Sequence, residues 1–298
     1  MNWLDFLREK LIQQYGTESA SKIFDGFSCE RAVTLRANLL KSSAEEIADI
    51  LRSAGIEFET VPWSSEAFIL NNARESGVWK LPAYEDGKIY LQSLSSMLPP
   101  IVLNPQTGED ILDMAAAPGG KTTQLAALSG CKAHITACER NKIRAEKLKY
   151  NLKKQGANSV YVMVQDARKL DDFFSFDKIL LDAPCSGSGT LDLNNEKQSA
   201  SFSEELVTNS VALQTSMLKK AARLLKRGGE LVYSTCSLLE CENEDNVRKI
   251  LSAGLEIVPI EFEGMNDIPQ LPVTVKGALC VMPAELYEGF FVCKMRKM

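Results

Sequence analysis

From Asp110 to Thr235 the chain repeats one pattern, a short apolar run followed by a stretch with helical spacing. The apolar runs are DILDMA (110–115), AHITACE (133–139), SVYVMV (159–164), DKILLDA (177–183) and GELVYST (229–235). Lys121–Leu128, Asn141–Gln155 and Ser203–Lys226 read as helices between them. Strands separated by helices are joined by right-handed crossovers, which restricts this region to a largely parallel sheet covered by helices. The expected fold class is therefore α/β, with a doubly wound Rossmann-like domain over residues 101–298 and ligands at the C-terminal ends of its strands. The pattern continues through ENEDNVRKILSAG and strand-like pieces near 255–259, 278–282 and 289–295. SGSGTLDLNNEKQSASFS (186–203) reads as a mobile loop beside the site, and EFEGMNDIPQLPVTVKG (261–277) as a long loop or insertion.

Residues 1–100 are built differently. An opening helix is followed by strand-like RAVTLRA (31–37) and by a helix that Ser43 caps, with Glu46 three residues later and Gly55 closing it. IEFETVPW and KIYLQ read as further strands. This order predicts a smaller N-terminal α/β module, ferredoxin-like in arrangement, and a length of 298 residues leaves room for both domains.

Composition narrows the function. No apolar run approaches the ~18 residues that cross a bilayer, and the N-terminus is amphipathic rather than signal-like, so a cytoplasmic protein without membrane contact is expected. The eight cysteines form no Cys-x-x-Cys pair and His134 is the single histidine, which predicts no metal site and excludes the Ser-His and Cys-His nucleophile pairs. The net charge of −5 weighs against a broad basic footprint. Charge is uneven, however: Lys132–Lys154 holds eight basic residues against two acidic ones.

DILDMAAAPGGKTTQLAAL is a strand, a tight small-residue turn and a helix, whose N–H groups face whatever the turn holds. Its candidate ligand residues are Asp113, Ala115, Ala116, Ala117, Pro118, Gly119, Gly120 and Lys121. AAAPGGKT also fits a relaxed phosphate loop, which makes a P-loop-like NTPase the competing reading. Pro118 removes an N–H that a phosphate cradle would use. Glu139 ends the second strand, where a Rossmann domain places a carboxylate on a ribose, and Asp166 follows the third. Acids at three successive strand ends suit a nucleoside without phosphates, and S-adenosylmethionine is such a ligand.

Two further strands each end at a cysteine, in LLDAPCSGSG and LVYSTCS. Cys185 and Cys236 then face one crevice. The chemistry that needs thiols there is methylation of cytosine carbon 5, which is too weakly nucleophilic until a thiolate adds to carbon 6. Negative charge develops on the ring during that attack, and Asp182, protonated or sharing a proton, could meet it, with Lys121 near enough to influence it. From the residues alone, which thiol attacks stays open.

DMAAAPGGKTTQ, LLDAPCSGSGT, LVYSTCSLLECENE and the tail MPAELYEGFFVCKMRK resemble the Sun-type (Nol–Nop–Sun) RNA cytosine methyltransferases, and bacterial 16S rRNA members most of all. TLRANLLK and YLQSLSSMLPP match segments that precede that family's catalytic domain. The resemblance implies a class I S-adenosylmethionine-dependent fold, with Cys236 as the nucleophile and Cys185 assisting release. It implies cofactor contacts from Ala117–Lys121, Glu139 on the ribose and Asp166 near the adenine, with Arg144 and Asp182 close by. The implied partner is RNA, rRNA or a ribosomal subunit before tRNA, bound by a monomer whose residues 1–100 help to hold it. TLDLNNEKQSAS lacks the arginine and Pro-Asp frequent in the family, Ala284 stands where a histidine is common, and no C-terminal RNA-binding extension follows the last strand. A third reading is a non-catalytic RNA-binding assembly factor on the same fold.

Overall fold

The computed structural model describes residues 3–195 and 202–298. Two sheets organise them. The smaller contains β1 (Val33–Ala37), β2 (Phe58–Val61), β3 (Ser64–Leu70) and β4 (Ile89–Leu91), in the order β2-β3-β1-β4 with every neighbour antiparallel. That is the ferredoxin-like strand order. After α1 (Trp3–Ser28), α2 (Ala44–Ser53) covers the small sheet, and its Ser43 cap accepts from the Glu46 N–H as the sequence predicts. The second crossover is reduced to two single turns, α3 (Glu75–Val78) and α4 (Pro82–Glu85).

The larger sheet has nine strands. β5 (Asp110–Asp113), β6 (His134–Cys138), β7 (Val160–Met163), β8 (Phe176–Asp182) and β9 (Leu225–Thr235) form its parallel half. β10 (Leu255–Val258), β11 (Gln270–Leu271), β12 (Leu279–Val281) and β13 (Phe290–Lys297) add an antiparallel flank. The order β11-β12-β13-β9-β8-β5-β6-β7 reverses direction between β8 and β5, the position where open α/β sheets bind ligands. Helices α6 (Gly120–Leu128), α7 (Lys142–Gln155), α8 (Glu204–Leu224) and α9 (Glu244–Leu251) complete the Rossmann-like arrangement. Among the described residues, no helix is long and apolar enough to cross a membrane.

Three features differ from the sequence reading. β3, the interior strand SSEAFIL, had no counterpart there, because its polar start masks a run that is buried almost throughout. α5 (Leu94–Leu103) forms across Pro99 and Pro100, residues that ordinarily end a helix. The Ser96 carbonyl, which Pro100 cannot serve, accepts instead from Gln92 Nε2 at 3.0 Å. The 261–277 segment is not wholly loop, since it carries a 3₁₀ turn (Met265–Asp267) and the edge strand β11. Of the 186–203 loop, residues 196–201 lie outside the described part.

Residues 1–100 distribute over both sheets. In α1, which turns sharply at Gly16 (φ 79°), Leu7, Leu11, Ile23 and Phe27 join the core under the large sheet. Gln14 Nε2 and the Tyr15 hydroxyl both donate to the Leu238 carbonyl at 2.9 Å, two residues beyond Cys236. α5 packs its Leu94, Met97, Leu98 and Leu103 into the core shared by Val232 and Phe290. Residues 1–100 therefore reach the end of the molecule where β5–β9 finish.

Candidate active site

The C-terminal strand ends carry the acids and thiols. β5 ends at Asp113, β6 runs into Glu139, β7 leads to Asp166, β8 ends at Asp182, and β9 runs into Cys236. Asp113 is buried; its Oδ2 accepts from Thr122 Oγ1 at 2.7 Å and its Oδ1 from the Ala115 N–H at 3.3 Å. Burial outweighs those bonds and pushes its carboxyl up to about 6. A carboxyl raised in the fold supports folding fully below its ordinary 3.8 and loses that support as pH rises through about 6. Asp113→Asn should remove this dependence. Chemical denaturation across that window should show wild type losing stability relative to the variant, by about 3 kcal/mol at most.

The glycine loop is braced from α7. Arg144 Nη2 donates to the Ala117 carbonyl at 2.6 Å, and Asn151 Nδ2 donates to the Pro118 carbonyl at 2.8 Å. Gly119 (φ 113°) lies against the same helix, where an added Cβ would stand 3.0 Å from Leu148 Cδ1. Arg144 Nη1 also lies 3.6 Å from Glu139 Oε2, while Glu139 Oε1 accepts from the Asn141 N–H at 2.8 Å. Asp166 is gripped by the Arg168 guanidinium on both oxygens, which holds its carboxyl below the usual range.

These residues line two clefts that share Ala115. One is bounded by Met114, Glu139, Arg144, Asp166 and Pro184. The other gathers Asp113, Ala116, Ala117, Pro118, Gly120, Lys121, Asp182 and Cys236. Cys185 is not among the residues of this cleft, but its Sγ lies 3.0 Å from the Cys236 sulfur, and both cysteines are free and half-buried. Hydrogen bonding to Cys236, then burial, push the Cys185 thiol well up. Lys121 Nζ contacts Asp182 Oδ2 at 2.8 Å and donates to Ser96 Oγ at 2.7 Å, while Ser234 Oγ donates to Asp182 Oδ1 at 2.8 Å.

This wiring bears on the phosphate-loop reading. A phosphate loop needs its lysine on phosphate and its Thr hydroxyl on magnesium. Here the lysine is paired with Asp182, and the fully buried Thr122 hydroxyl is spent on Asp113. The donor set fits a nucleoside cofactor with cationic groups better, with Glu139 and Asp166 at one cleft and Asp113 and Asp182 at the other. His134, the single histidine, is exposed at the start of β6, the opposite end from the site.

Sequence reasoning missed the wall supplied from outside the Rossmann strands. Tyr90, Gln92, Ser93 and Ser96 line the second cleft on one side, with Glu288 and Phe290 on another. Ser93 Oγ donates to Glu288 Oε2 at 2.8 Å, which ties the two sides together. It also missed Glu242, whose carboxylate lies between the two cysteine loops. The loop after Cys185 presses on the tail, where the Gly289 N–H donates to the Gly189 carbonyl at 2.8 Å. A Cβ on Gly189 would fall 2.1 Å from the Gly289 carbonyl oxygen. Gly189→Ala should therefore destabilise the fold by about 1–3 kcal/mol, read from the urea midpoint.

Comparison with known proteins adds two family matches. The family described as 16S rRNA methyltransferase RsmB/F matches residues 100–296, and its RsmF/B-like ferredoxin-like domain matches residues 5–76. Ribosomal RNA small subunit methyltransferase F of Shewanella woodyi is 34% identical over 89% of this chain and 57% of its own length. Probable ribosomal RNA small subunit methyltransferase B of Bacillus subtilis is 31% identical over 98% of this chain and 66% of its own. The 25S rRNA (cytosine-C(5))-methyltransferase nop2 of Schizosaccharomyces pombe is 33% identical over 98% of this chain and 50% of its own. The chain thus spans between half and two thirds of the length of these relatives. Among solved structures, NSun6 from Pyrococcus horikoshii with SFG superposes with a TM-score of 0.86 at 26% identity, covering 98% of this chain and 97% of that one. A methyltransferase homolog protein from the same organism gives 0.84 at 32%, covering 97% and 94%.

Proposed function

This chain belongs to the 16S rRNA methyltransferase RsmB/F family, and we propose that it forms 5-methylcytosine in RNA, with S-adenosylmethionine as methyl donor and Cys236 as nucleophile. The observation that carries this reading is the placement of the thiols: Cys236 lines the cleft with Lys121 and Asp182, and Cys185, 3.0 Å from it, does not. The family is of the S-adenosylmethionine-dependent type, and SFG, bound in the NSun6 structure, is an analogue of that cofactor. When bound, S-adenosylmethionine supplies an electrophilic methyl group on a sulfonium. The residues that would hold it are Glu139, Arg144 and Asp166 in one cleft and Asp113 with Ala115–Lys121 leading into the other.

The chain's own residues then do the following. The Cys236 thiolate adds to carbon 6 of the cytosine, so a sulfur–carbon bond forms and the ring double bond gives its electron pair to carbon 5. Asp182, held by Lys121 and Ser234, is placed to share a proton with the ring nitrogen, which offsets the negative charge that develops there. After methyl transfer a water takes the carbon 5 proton, the pair of that C–H bond restores the ring double bond, and the carbon–sulfur bond breaks with its pair returning to the Cys236 sulfur. Cys185, 3.0 Å away, offers its S–H to the departing sulfur. The target base has to leave its stack to reach Cys236, and the Tyr90, Ser93 and Phe290 wall borders the space it would enter.

The RNA is proposed to be rRNA before tRNA, held partly by residues 1–100 of a cytoplasmic monomer. Incubation with methyl-labelled S-adenosylmethionine and unmethylated small-subunit rRNA, followed by nucleoside mass spectrometry, tests the reading. Label in 5-methylcytosine is expected. Label in a different nucleoside, or RNA-stimulated ATP hydrolysis without methylation, would overturn it.

A further inference from the structure

Glu242 takes no part in the steps above, yet its carboxylate is fully buried and bonded on both oxygens. Oε1 accepts from the Ser186 N–H and from Gln214 Nε2, both at 2.9 Å. Oε2 accepts from Ser186 Oγ and Ser237 Oγ, both at 2.5 Å. Ser186 follows Cys185 and Ser237 follows Cys236, so a single carboxylate holds the residue after each thiol. Its own backbone is fixed in turn, because the Tyr233 hydroxyl donates to the Glu242 carbonyl at 2.5 Å and Asn246 Nδ2 at 3.2 Å. No lysine, arginine or histidine among the described residues forms an ion pair with it. Four donors offset the desolvation of its charge in place of a cation, and such an arrangement is costly to disturb.

The loops are also joined directly. Ser188 Oγ and Ser237 Oγ lie 2.9 Å apart, and the Gly189 N–H donates to the Cys236 carbonyl at 2.9 Å. The sulfur separation of 3.0 Å is thus set by contacts centred on one side chain.

Resting on the reading of Cys236 as nucleophile and Cys185 as release partner, we propose that Glu242 is the positioning residue of the thiol pair. Its carboxylate fixes the loop after each cysteine, so that Cys185 presents its S–H to the Cys236 sulfur. Geometry gives the first half of this role and charge the second. The titratable groups facing Cys185 are Cys236 after β9, Tyr233 within it and Glu242 beyond it. Hydrogen bonding to Cys236 and burial favour the Cys185 thiol first, and the negative charge of Glu242 adds to them. The ammonium of Lys121, the cation of the adjoining cleft, is committed to Asp182.

Glu242→Gln separates this role from simple support. The amide oxygen can accept from the Ser186 N–H and Gln214, and its NH₂ can donate to the two serine hydroxyls once they rotate. The hydrogen bonds survive and the charge does not. In single-turnover experiments with labelled RNA, the decay of the covalent protein–RNA species is followed from neutral to alkaline pH. The pH above which release slows should fall in Glu242→Gln, because a negative charge that favours the Cys185 thiol is gone, with melting temperature and S-adenosylmethionine affinity at wild-type values. A release profile superimposable on wild type would overturn the proposal. Should Glu242→Gln fail to fold, the double variant S186A/S237A keeps the charge and removes two of its four tethers. Adduct lifetime should then rise severalfold at unchanged pH midpoint, and an unchanged lifetime would overturn the proposal. Wild type that forms 5-methylcytosine in these assays separates failure of the positioning role from failure of the functional reading.

Discussion

Cys236→Ala should abolish methyl transfer, with a loss on the order of 10³-fold or more, while the protein folds and binds S-adenosylmethionine normally. The effect is large because no other group in the second cleft can make carbon 5 nucleophilic. Lys121 is paired to Asp182 and Ser96, and neither partner reacts as a carbon nucleophile at neutral pH. The substitution itself is mild for the fold, since the Cys236 side chain borders an open cleft and its carbonyl keeps the Gly189 N–H. Single-turnover methylation with tritiated cofactor measures the loss, and thermal melting with and without cofactor checks that binding is intact. Retention of more than a tenth of wild-type activity would contradict the assignment.

Cys185→Ala should have the opposite signature, a chemical step that proceeds and a product that stays attached. Under the proposed roles, removing the Cys185 sulfur removes the group, 3.0 Å from the Cys236 sulfur, that would donate to it on release. Methylated RNA should then accumulate as a covalent complex that survives denaturing electrophoresis, with multiple turnover reduced by about 10²-fold or more. The methyl group should be present in the trapped RNA, which places the block after methyl transfer. A Cys185→Ala protein that turns over as wild type would leave the second thiol without a role.

The Rossmann half was legible because its strands read as apolar runs broken by turn residues, with β5 and β8 at the centre buried on both faces. All five parallel strands lie where their apolar runs place them. The acids and thiols followed from that, since a residue just past a parallel strand has to face the ligand crevice. Arg144 is a partial case: the family resemblance implies a place near the cofactor, but only the fold reveals that it props the Ala117 carbonyl. Three things could not be read. Pro99 and Pro100 signal a break, and only Gln92, distant from both in local pattern, makes the helix acceptable by serving the Ser96 carbonyl. β3 begins with Ser64, Ser65 and Glu66, which read as a turn until β1 and β2 are placed beside them. Glu242 stands in the acidic stretch ECENE, where composition predicts solvent, and nothing local marks it as the residue that turns inward to Ser186 and Ser237.

The second cleft also draws on parts of the chain that no local pattern connects. Tyr90 and Gln92 come from the end of the small sheet, Ser96 from the first turn of α5, and Glu288 from the turn before β13. The buried Arg36 strengthens that junction, with Nε on Gln92 Oε1 at 3.1 Å and Nη2 on Thr123 Oγ1 at 2.9 Å. The ferredoxin-like module is thereby fastened to the first turns of α6, beside Lys121. Residues of the N-terminal part and residues of the Rossmann-like part thus line one cleft together.

The central claim is that Cys236, and not Cys185, bonds to the base. It is tested most directly with the wild-type enzyme and RNA carrying 5-fluorocytosine at the target position, where fluorine cannot leave as a proton does and the adduct persists. After nuclease and protease digestion, mass spectrometry locates the nucleotide on the chain. A methylated fluorocytidine nucleotide is expected on the peptide that contains Cys236. The same mass on the peptide containing Cys185 would reverse the roles of the two thiols and contradict it.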